Sequence, residues 1–131
     1  MRKKKWKFAH AALLLSAITG FVNAQSANEV WVKQAASTGE DIGNCITVDN
    51  SGDIIITGRY ANSFKFENVE LQSQGVKDVF IAKMDSNGTL KWLNYGSGPG
   101  EDRPYGVTTD AFGNSILVGA IDKEMEISGT K

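Results

Sequence analysis

One stretch of this chain occurs twice. Residues 31–58 align with residues 92–119 at a shift of 61 positions without a gap, and nine of the 28 aligned positions are identical. The conserved pairs include Trp31 with Trp92, and Gly39-Glu40-Asp41 with Gly100-Glu101-Asp102. A long fixed period indicates supersecondary units that bury their faces against one another. The repeat therefore constrains the architecture, but it does not name a ligand or a reaction.

Strand and turn signals fill the first half of the repeat. Residues 46–48 alternate apolar and polar side chains, as a half-buried strand does. Residues 49–52, Asp-Asn-Ser-Gly, have the composition of a tight turn. The unbroken isoleucine run at 54–56 is typical of a central strand covered on both faces. No segment after residue 24 has a convincing helical period, which favours an all-β chain.

The second half of the unit continues the same pattern. Phe64 and Phe66 predict a short edge strand, and residues 78–84 predict another strand. Residues 85–88 predict a second turn, and residues 89–95 the returning strand of a hairpin. One unit then holds about four short antiparallel strands, which is the content of one β-propeller blade. The two tryptophans are expected to pack between adjacent sheets.

The first 24 residues have the pattern of a secretory signal peptide. A basic start at residues 2–7 is followed by an apolar stretch of about 15 residues and by Ala24, the expected cleavage point. The apolar stretch is shorter than the roughly 20 residues that a membrane-spanning helix needs. The predicted organisation is a signal peptide (1–24), a polar lead (25–30), a first propeller repeat (31–91) and an incomplete second repeat (92–131).

Removing the predicted leader changes the charge of the chain. Five of the 14 basic residues and none of the 15 acidic residues lie in it, so the mature chain carries a net charge of −6. This charge disfavours a nucleic-acid or anionic-membrane surface. The only histidine, His10, also lies in the leader, which excludes a Ser-His-Asp triad and a histidine metal site from the mature chain.

The single cysteine is Cys45, so no disulfide can form within the chain. It could be a reactive thiol or could pair between molecules. Its position aligns with Gly106 and it precedes Ile46. A small side chain packed in a strand is the favoured interpretation.

The order of these motifs resembles a known family. Trp92-x-x-Tyr95-Gly96, Gly100-Glu101-Asp102, Asp110-x-x-Gly113-Asn114 and Val118-Gly119 are similar to the bacterial seven-bladed β-propeller repeat, often called the SBBP repeat. Residues 78–83, Asp85-x-x-Gly88 and Trp92 strengthen the resemblance. It implies four-stranded antiparallel blades in a secreted or cell-surface bacterial protein, and it brings no shared catalytic residues.

A closed propeller typically needs 4 to 8 blades. This chain supplies fewer than two and would, by itself, end with exposed strand edges. We therefore expect these 131 residues to be an incomplete propeller fragment, the first part of a longer protein. A small two-sheet β domain, or a ring closed by several chains, is the alternative.

Two acidic motifs suggest chemistry. Residues 49–53 space oxygen side chains as calcium loops do, but calcium needs 6 to 8 oxygen ligands and the loop offers two carboxylates, which favours a plain turn. Glu40-Asp41 and Glu101-Asp102 could form the two carboxylates of a glycosidase. Because one such pair occurs in each repeat, loop capping or strand-edge hydrogen bonding is favoured.

Other propeller signatures are weak. The spacing of Asp85 and Gly88 does not match a sialidase-type Asp box, and Asp85-x-x-Gly88-x-x-x-Trp92 resembles quinoprotein blades only through general turn and packing needs. Tyr60, Tyr95, Tyr105 and Phe112 are expected to pack on neighbouring blades, with stacking on sugars or proteins as the alternative.

The sequence therefore predicts a non-catalytic, exported β-propeller repeat protein that binds a protein or polysaccharide. It assigns no catalytic residue, metal or cofactor, and it leaves the ligand-binding residues unknown. The alternatives are the leading part of a propeller hydrolase or lyase acting on extracellular polysaccharide, and a purely structural spacer.

Overall fold

The computed structural model describes residues 31–129, and all the regular structure in that range is β-strand. The strands are β1 (Ala35–Ser37), β2 (Ile42–Val48), β3 (Ile54–Tyr60), β4 (Ser63–Phe66), β5 (Val69–Gln72), β6 (Asp78–Met84), β7 (Leu90–Ser97), β8 (Arg103–Thr109), β9 (Ser115–Ala120) and β10 (Glu126–Gly129). Neighbouring strands pair antiparallel in three sheets, which confirms the predicted all-β class. Within residues 31–129 the strands form no closed barrel or propeller. The predicted signal peptide and polar lead lie outside the described residues.

The largest sheet has five strands in the order β10-β7-β6-β3-β2. β3 is an interior strand between β6 and β2, whereas the isoleucine run predicted a central strand covered on both faces. Only Ile55 on this run is fully buried, at 0% exposure, and Ile54 and Ile56 are half-buried. β3 is therefore completely covered on one face and partly covered on the other.

A hairpin leaves the large sheet between β3 and β6. It consists of β4 and β5, which form a three-stranded sheet with β1 in the order β1-β4-β5. The short strand predicted at Phe64 and Phe66 is present as β4, but its predicted edge position was wrong, because β4 is the central strand of this small sheet. Its turn contains Glu67 at a φ of 53° in place of the glycine that usually marks such a turn, so the usual glycine signal is absent.

Three hairpins use one turn geometry. In each, an aspartate carboxylate oxygen accepts hydrogen bonds from the backbone N–H groups two and four residues later, and a glycine three residues later has a φ between 79° and 83°. The turns begin at Asp49, Asp85 and Asp110. Asp bonds its own backbone and Gly accepts positive φ, which is why these turns could be read from the sequence.

The two aligned segments pair in the same register. The contacts between β2 and β3 recur between β8 and β9 at a shift of 61 residues, and both pairs contain a bulge at the same place, after Gly43 and after Pro104. The pairing of β1 with β4 also recurs at a shift of 61 residues, as the pairing of β7 with β10. Ala36 pairs with Lys65, and Ser97 pairs with Glu126. Strand β10 therefore follows the second aligned segment along the chain but completes the sheet of the first.

The main core lies between the large sheet and the β4–β5 hairpin. Its buried side chains are Tyr60, Phe64, Phe66, Leu71, Phe80, Ala82, Met84 and Leu93. The rings of Tyr60 and Phe80 each have centroids 4.8 Å from that of Phe64. Trp31 is half-buried at the margin of this core, and its Nε1 donates a hydrogen bond to the carbonyl oxygen of Ser86 at 3.0 Å. Trp92 is also half-buried.

Candidate functional site

The candidate site lies where β3 ends and where β6 and β8 begin. Because β3 and β6 are antiparallel neighbours, the end of β3 lies beside the start of β6. A parallel bridge between Lys77 and Glu101 brings the start of β8 to the same place. The connecting loops are joined by backbone hydrogen bonds from Val76 N to Gly100 O and from Asp102 N to Lys77 O, both 2.9 Å. Charged side chains from both aligned segments therefore converge here.

We call five of these side chains the ion-pair cluster: Glu40, Arg59, Lys77, Glu101 and Arg103. Lys77 Nζ lies 2.9 Å from Glu40 Oε1 and 3.8 Å from Glu101 Oε1. Arg59 lies 3.0 Å from Glu101 and 3.8 Å from Glu40. Arg103 Nη2 donates to Glu101 Oε2 at 3.1 Å. The two glutamates that occupy equivalent repeat positions thus share the same two cations.

The electrostatics of the cluster keep Glu101 ionised. The hydrogen bond from Arg103 lowers the pKa of the Glu101 carboxyl below its ordinary value, and the charges of Arg103, Lys77 and Arg59 add to this effect. Reciprocally, the same contact raises the pKa of Arg103. A carboxylate held ionised in this way is poorly suited to donate a proton, which a glycosidase acid must do.

The aspartates of the acidic pairs point elsewhere. Asp41 Oδ2 accepts a hydrogen bond from the backbone N–H of Ser37 at 2.5 Å. Asp102 is fully buried, and its Oδ1 accepts from the backbone N–H of Asp122 at 3.0 Å. Both aspartates therefore accept hydrogen bonds from loop backbone, the kind of contact that was predicted because one acidic pair occurs in each repeat. The glutamate and the aspartate of each pair therefore have different roles, ion pairing and loop anchoring.

The environment of Asp102 disfavours the ionised form of its carboxyl. Its Oδ2 is buried and has no hydrogen-bond partner among the described residues. Burial raises the pKa of its carboxyl, and the nearby charges of Asp78 and Asp122 raise it further. Asp78 is also fully buried, but it is satisfied by the backbone N–H groups of Gln74 and Gly98 at 2.7 and 3.2 Å.

A shallow recess opens beside the cluster. It has a volume of about 280 Å³ and is lined by Glu101, Arg103, Tyr105, Ala120, Ile121 and Asp122. Tyr105 is 63% exposed. An exposed aromatic ring next to carboxylates and a guanidinium offers a stacking surface together with hydrogen-bonding groups of both kinds.

The four aromatic residues considered from sequence differ in their surroundings. Tyr60 is fully buried and Tyr95 is half-buried, as packing predicted. Tyr105 and Phe112 are exposed, and Phe112, at the tip of the β8–β9 turn, is 91% exposed. Among residues 31–129 no sheet covers them, and their packing on neighbouring blades stays a prediction.

The loop considered for calcium is occupied by lysines. Lys83 Nζ lies 2.6 Å from Asp49 Oδ2 and 3.1 Å from Asp53 Oδ2, and Lys91 Nζ lies 2.6 Å from Asp53. The hydrogen bond from Lys83 lowers the pKa of Asp49, and that from Lys91 lowers the pKa of Asp53. Two ammonium groups already neutralise the two carboxylates. Across residues 31–129, no group of three or more metal-ligating side chains is arranged to hold a metal ion.

Cys45 is half-buried on β2 and is not in a disulfide. Its Sγ lies 4.0 Å from the carbonyl oxygen of Val107 on β8, so the thiol sits at the contact between the two aligned segments. This position agrees with a small packed side chain.

Sequence reasoning missed Arg59 and Lys77. Arg59 does not recur, since it aligns with Ala120, and neither residue belongs to a motif. The available signal was indirect: two glutamates at equivalent positions need nearby cations if they are brought together.

Comparisons with protein-family models, curated proteins and solved structures found no match. Within the described part of the chain, no helix is long and apolar enough to cross a membrane.

Proposed function

We propose that this chain is a non-catalytic β-propeller repeat protein of the SBBP type, exported to the cell surface or the medium, and that it binds an extracellular polysaccharide in the recess beside the ion-pair cluster. The single observation that carries the ligand proposal is Tyr105, exposed next to the guanidinium of Arg103 and the carboxylate of Asp122. A sugar ring stacks on an aromatic face, and its hydroxyl groups can accept from Arg103 and donate to Asp122.

The charge of the chain narrows the ligand class. A mature chain with a net charge of −6 repels an anionic polymer, and the carboxylates of the recess add to this repulsion. A neutral polysaccharide fits the recess better than an acidic one.

The blade architecture is supported by order and register. Strands β2, β3, β6 and β7 are consecutive antiparallel neighbours in the large sheet, which is the arrangement of a four-stranded blade. Strands β8 and β9 repeat the register of β2 and β3, as the first two strands of a following blade would. The β4–β5 hairpin is then an insertion between the second and third strands of this blade.

The proposal that the protein is non-catalytic is supported by the ion pairing of the carboxylates in the cluster. The acids of the cluster are paired with cations, and the pKa of Glu101 is lowered, whereas an acid–base pair needs two carboxyls with separated pKa values. No histidine follows His10 in the sequence.

The test is binding to an array of immobilised neutral and acidic glycans. We expect the protein to retain at least one class of neutral glycan, Tyr105→Ala to weaken that binding at least tenfold, and Phe112→Ala to leave it unchanged. Phe112 is the matched control because it is an exposed aromatic residue remote from the recess lining.

Three outcomes would contradict the ligand proposal. One is that the array retains no glycan, another is that the two variants bind alike, and the third is retention of acidic glycans alone. A protein recovered in a parallel pull-down and lost with Tyr105→Ala would assign the recess to a protein ligand instead.

A further inference from the structure

The turn between β6 and β7 carries a sequence motif that lies outside the recess. Asn87 is followed by Gly88 and then by Thr89. Asn-x-Ser/Thr, with any residue except proline in the middle, is the acceptor motif for N-linked glycosylation and marks a surface loop in an exported protein. No other asparagine of the 131 residues has Ser or Thr at this spacing. The motif therefore singles out one side chain, that of Asn87.

The geometry of the turn does not require this pair of residues. The turns at Asp49, Asp85 and Asp110 share only the initial aspartate and the glycine three residues later. At their third and fifth positions they carry Ser51 and Asp53, Asn87 and Thr89, and Phe112 and Asn114. The Thr89 hydroxyl hydrogen-bonds to the Asp85 carboxylate, and the Asn114 amide donates to Asp110 Oδ2 at 2.7 Å. Since either side chain can make this bond, the fold does not account for Asn87 together with Thr89.

The turn presents the motif to solvent on a fixed backbone. The Gly88 N–H donates to the Asp85 carbonyl oxygen at 3.0 Å, and the Asp85 N–H donates to the Thr89 carbonyl oxygen at 2.9 Å. The Asn87 N–H donates to Asp85 Oδ1 at 2.8 Å. Ser86, Asn87 and Thr89 are all exposed. An enzyme can therefore reach the Asn87 side chain from outside the folded domain.

An aromatic ring lies next to the acceptor. Trp31 Nε1 donates to the Ser86 carbonyl oxygen at 3.0 Å, and a Cβ built on Gly88 would lie 2.7 Å from the Trp31 ring. The half-buried indole thus covers Gly88, whose φ of 79° and contact with the ring both favour glycine. A sugar attached to Asn87 has an aromatic surface within reach on which to pack.

We propose that Asn87 is a site of covalent N-glycosylation. The donor is a sugar activated as a lipid-linked diphosphate, and the acceptor is the side-chain amide of Asn87. Asn87 Nδ2 attacks the anomeric carbon, and the new C–N bond forms as the bond from that carbon to the diphosphate oxygen breaks. The diphosphate leaves with the bonding electrons and Nδ2 loses one proton, so the step needs no oxidant or reductant. The attached glycan is bulky and solubilising, as surface glycans are.

The inference rests on the export that the proposed function includes, but not on what the recess binds. Lys77 of the ion-pair cluster directly precedes β6, and the turn with Asn87 directly follows it. At about 3.3 Å per residue, the seven residues of β6 separate the two places by roughly 20 Å. A glycan on Asn87 therefore leaves the recess open.

The test is peptide mapping of the full chain, recovered separately from the inside and the outside of the cells that produce it. Trypsin cuts after Lys83 and Lys91, which releases residues 84–91 with the whole motif. We expect the extracellular chain to give this peptide with the mass of an attached glycan, and fragment ions to place that mass on Asn87. The intact glycopeptide is the readout, because spontaneous deamidation can also convert asparagine to aspartate.

Four variants made in the same cells test the motif itself. Asn87→Gln removes the acceptor but keeps an amide, and Thr89→Asn introduces the residue that closes the turn at Asp110. Both should lose the added mass completely. Thr89→Ser preserves the motif, and Asn50→Gln changes an exposed asparagine in another turn, so both should keep the added mass.

Different results would overturn this inference and the export on which it rests. An extracellular chain whose peptide 84–91 is entirely unmodified overturns the glycosylation and leaves export standing. An unmodified chain found only inside the cells overturns both. An added mass that persists in Asn87→Gln or in Thr89→Asn also contradicts the proposal, because the motif would not direct it.

Discussion

Lys83 Nζ on β6 lies 2.6 Å from Asp49 Oδ2 in the turn between β2 and β3. The contact spans the β3 strand, since β3 separates β2 from β6 in the sheet. The Asp49 side chain is 2% exposed and that of Lys83 is 14% exposed, so water screens the pair only partly. Lys83 therefore ties the β2–β3 turn to β6, the strand on the other side of β3 from β2.

Replacing Lys83 by Met tests this tie. The variant keeps most of the apolar stem of the side chain but leaves Asp49 without its cation, so we expect the Tm to fall by several degrees. Lys65→Met, at an exposed position on β4, is the control and should change the Tm little. Differential scanning calorimetry measures both, and equal Tm values for the two variants would contradict the structural role of the ion pair.

Calcium should have no effect on the wild type. The carboxylates of Asp49 and Asp53 are engaged by Lys83 and Lys91, and the loop supplies fewer oxygen ligands than the 6 to 8 that calcium needs. We expect the same Tm with millimolar calcium and with a chelator. A clear rise in Tm with calcium, absent with magnesium, would show that the loop binds the ion despite its lysines.

Acid should destabilise the protein through a particular set of carboxyls. Their pKa values are lowered in the folded state: Asp49, Asp53, Asp85, Glu101 and Asp110. A lowered pKa contributes stability that is present above the unfolded-chain pKa, 3.8 for Asp and 4.5 for Glu, and that is lost as the pH falls through the folded-state pKa. We expect the Tm to drop below about pH 4. A Tm that holds constant to pH 2 would contradict these pKa directions.

Asp102 should act in the opposite sense. Its pKa is raised, so its contribution to stability is complete below the unfolded-chain value of 3.8 and is lost as the pH rises through the folded-state pKa. Asp102→Asn keeps the acceptor for Asp122 N and removes the buried charge. We expect a gain of about 1 kcal/mol at neutral pH, the low end of the cost of an unsatisfied buried group, and no gain near pH 3.

The control for this change is Asp41→Asn. Asp41 occupies the equivalent repeat position and its Oδ1 is likewise buried without a partner among the described residues, but the residue as a whole is half-buried where Asp102 is fully buried. Its substitution should therefore gain less at neutral pH. Chemical denaturation at both pH values measures the difference. Equal gains for the two variants, or a gain from Asp102→Asn that persists in acid, would show that burial of Asp102 is not the cause.

Gly58 lies where β3 passes β2 and packs on Phe80. A Cβ built there would lie 2.4 Å from the carbonyl oxygen of Ile42 and 2.7 Å from the Phe80 ring. Gly58→Ala should therefore destabilise the protein by at least roughly 1–3 kcal/mol, the usual cost of overpacking. Gly43→Ala is the control, because nothing lies within 4 Å of its added Cβ. Similar unfolding free energies for the two variants would show that β2 and the Phe80 ring can move away from residue 58 without loss of stability.

The elements that the sequence predicted well depend on local chemistry. The turns at Asp49 and Asp85 follow from the fit of Asp and Gly to their backbone, and β6 matches its predicted bounds because its residue pattern is continuous. The β4–β5 hairpin was missed because Glu67 occupies the positive-φ position. Strand β10 was missed because only its distant partner β7 holds it in place.

The candidate site was less accessible to prediction. Glu40 and Glu101 could be recognised because they recur, but their partners Arg59 and Lys77 come from other strands and only the register brings them together. The exposure of Tyr105 depends on which sheets cover β8, a tertiary property that its neighbours in the chain do not encode.

The exchange of strands between the two segments has a consequence for unfolding. β10 follows the second segment but is hydrogen-bonded to β7 in the sheet of the first, and β1 meets β4 in the same register. If the second segment unfolded alone, the first segment would lose its edge strand β10, and the backbone N–H and C=O groups of β7 would be left unpaired. In stacked repeat proteins, stability depends on the interfaces between neighbouring units. A strand of one unit that is hydrogen-bonded into the sheet of the next adds to that interface, so the two units are more strongly coupled in unfolding. Residues 31–129 should then unfold in a single cooperative step, with neither aligned segment lost before the other.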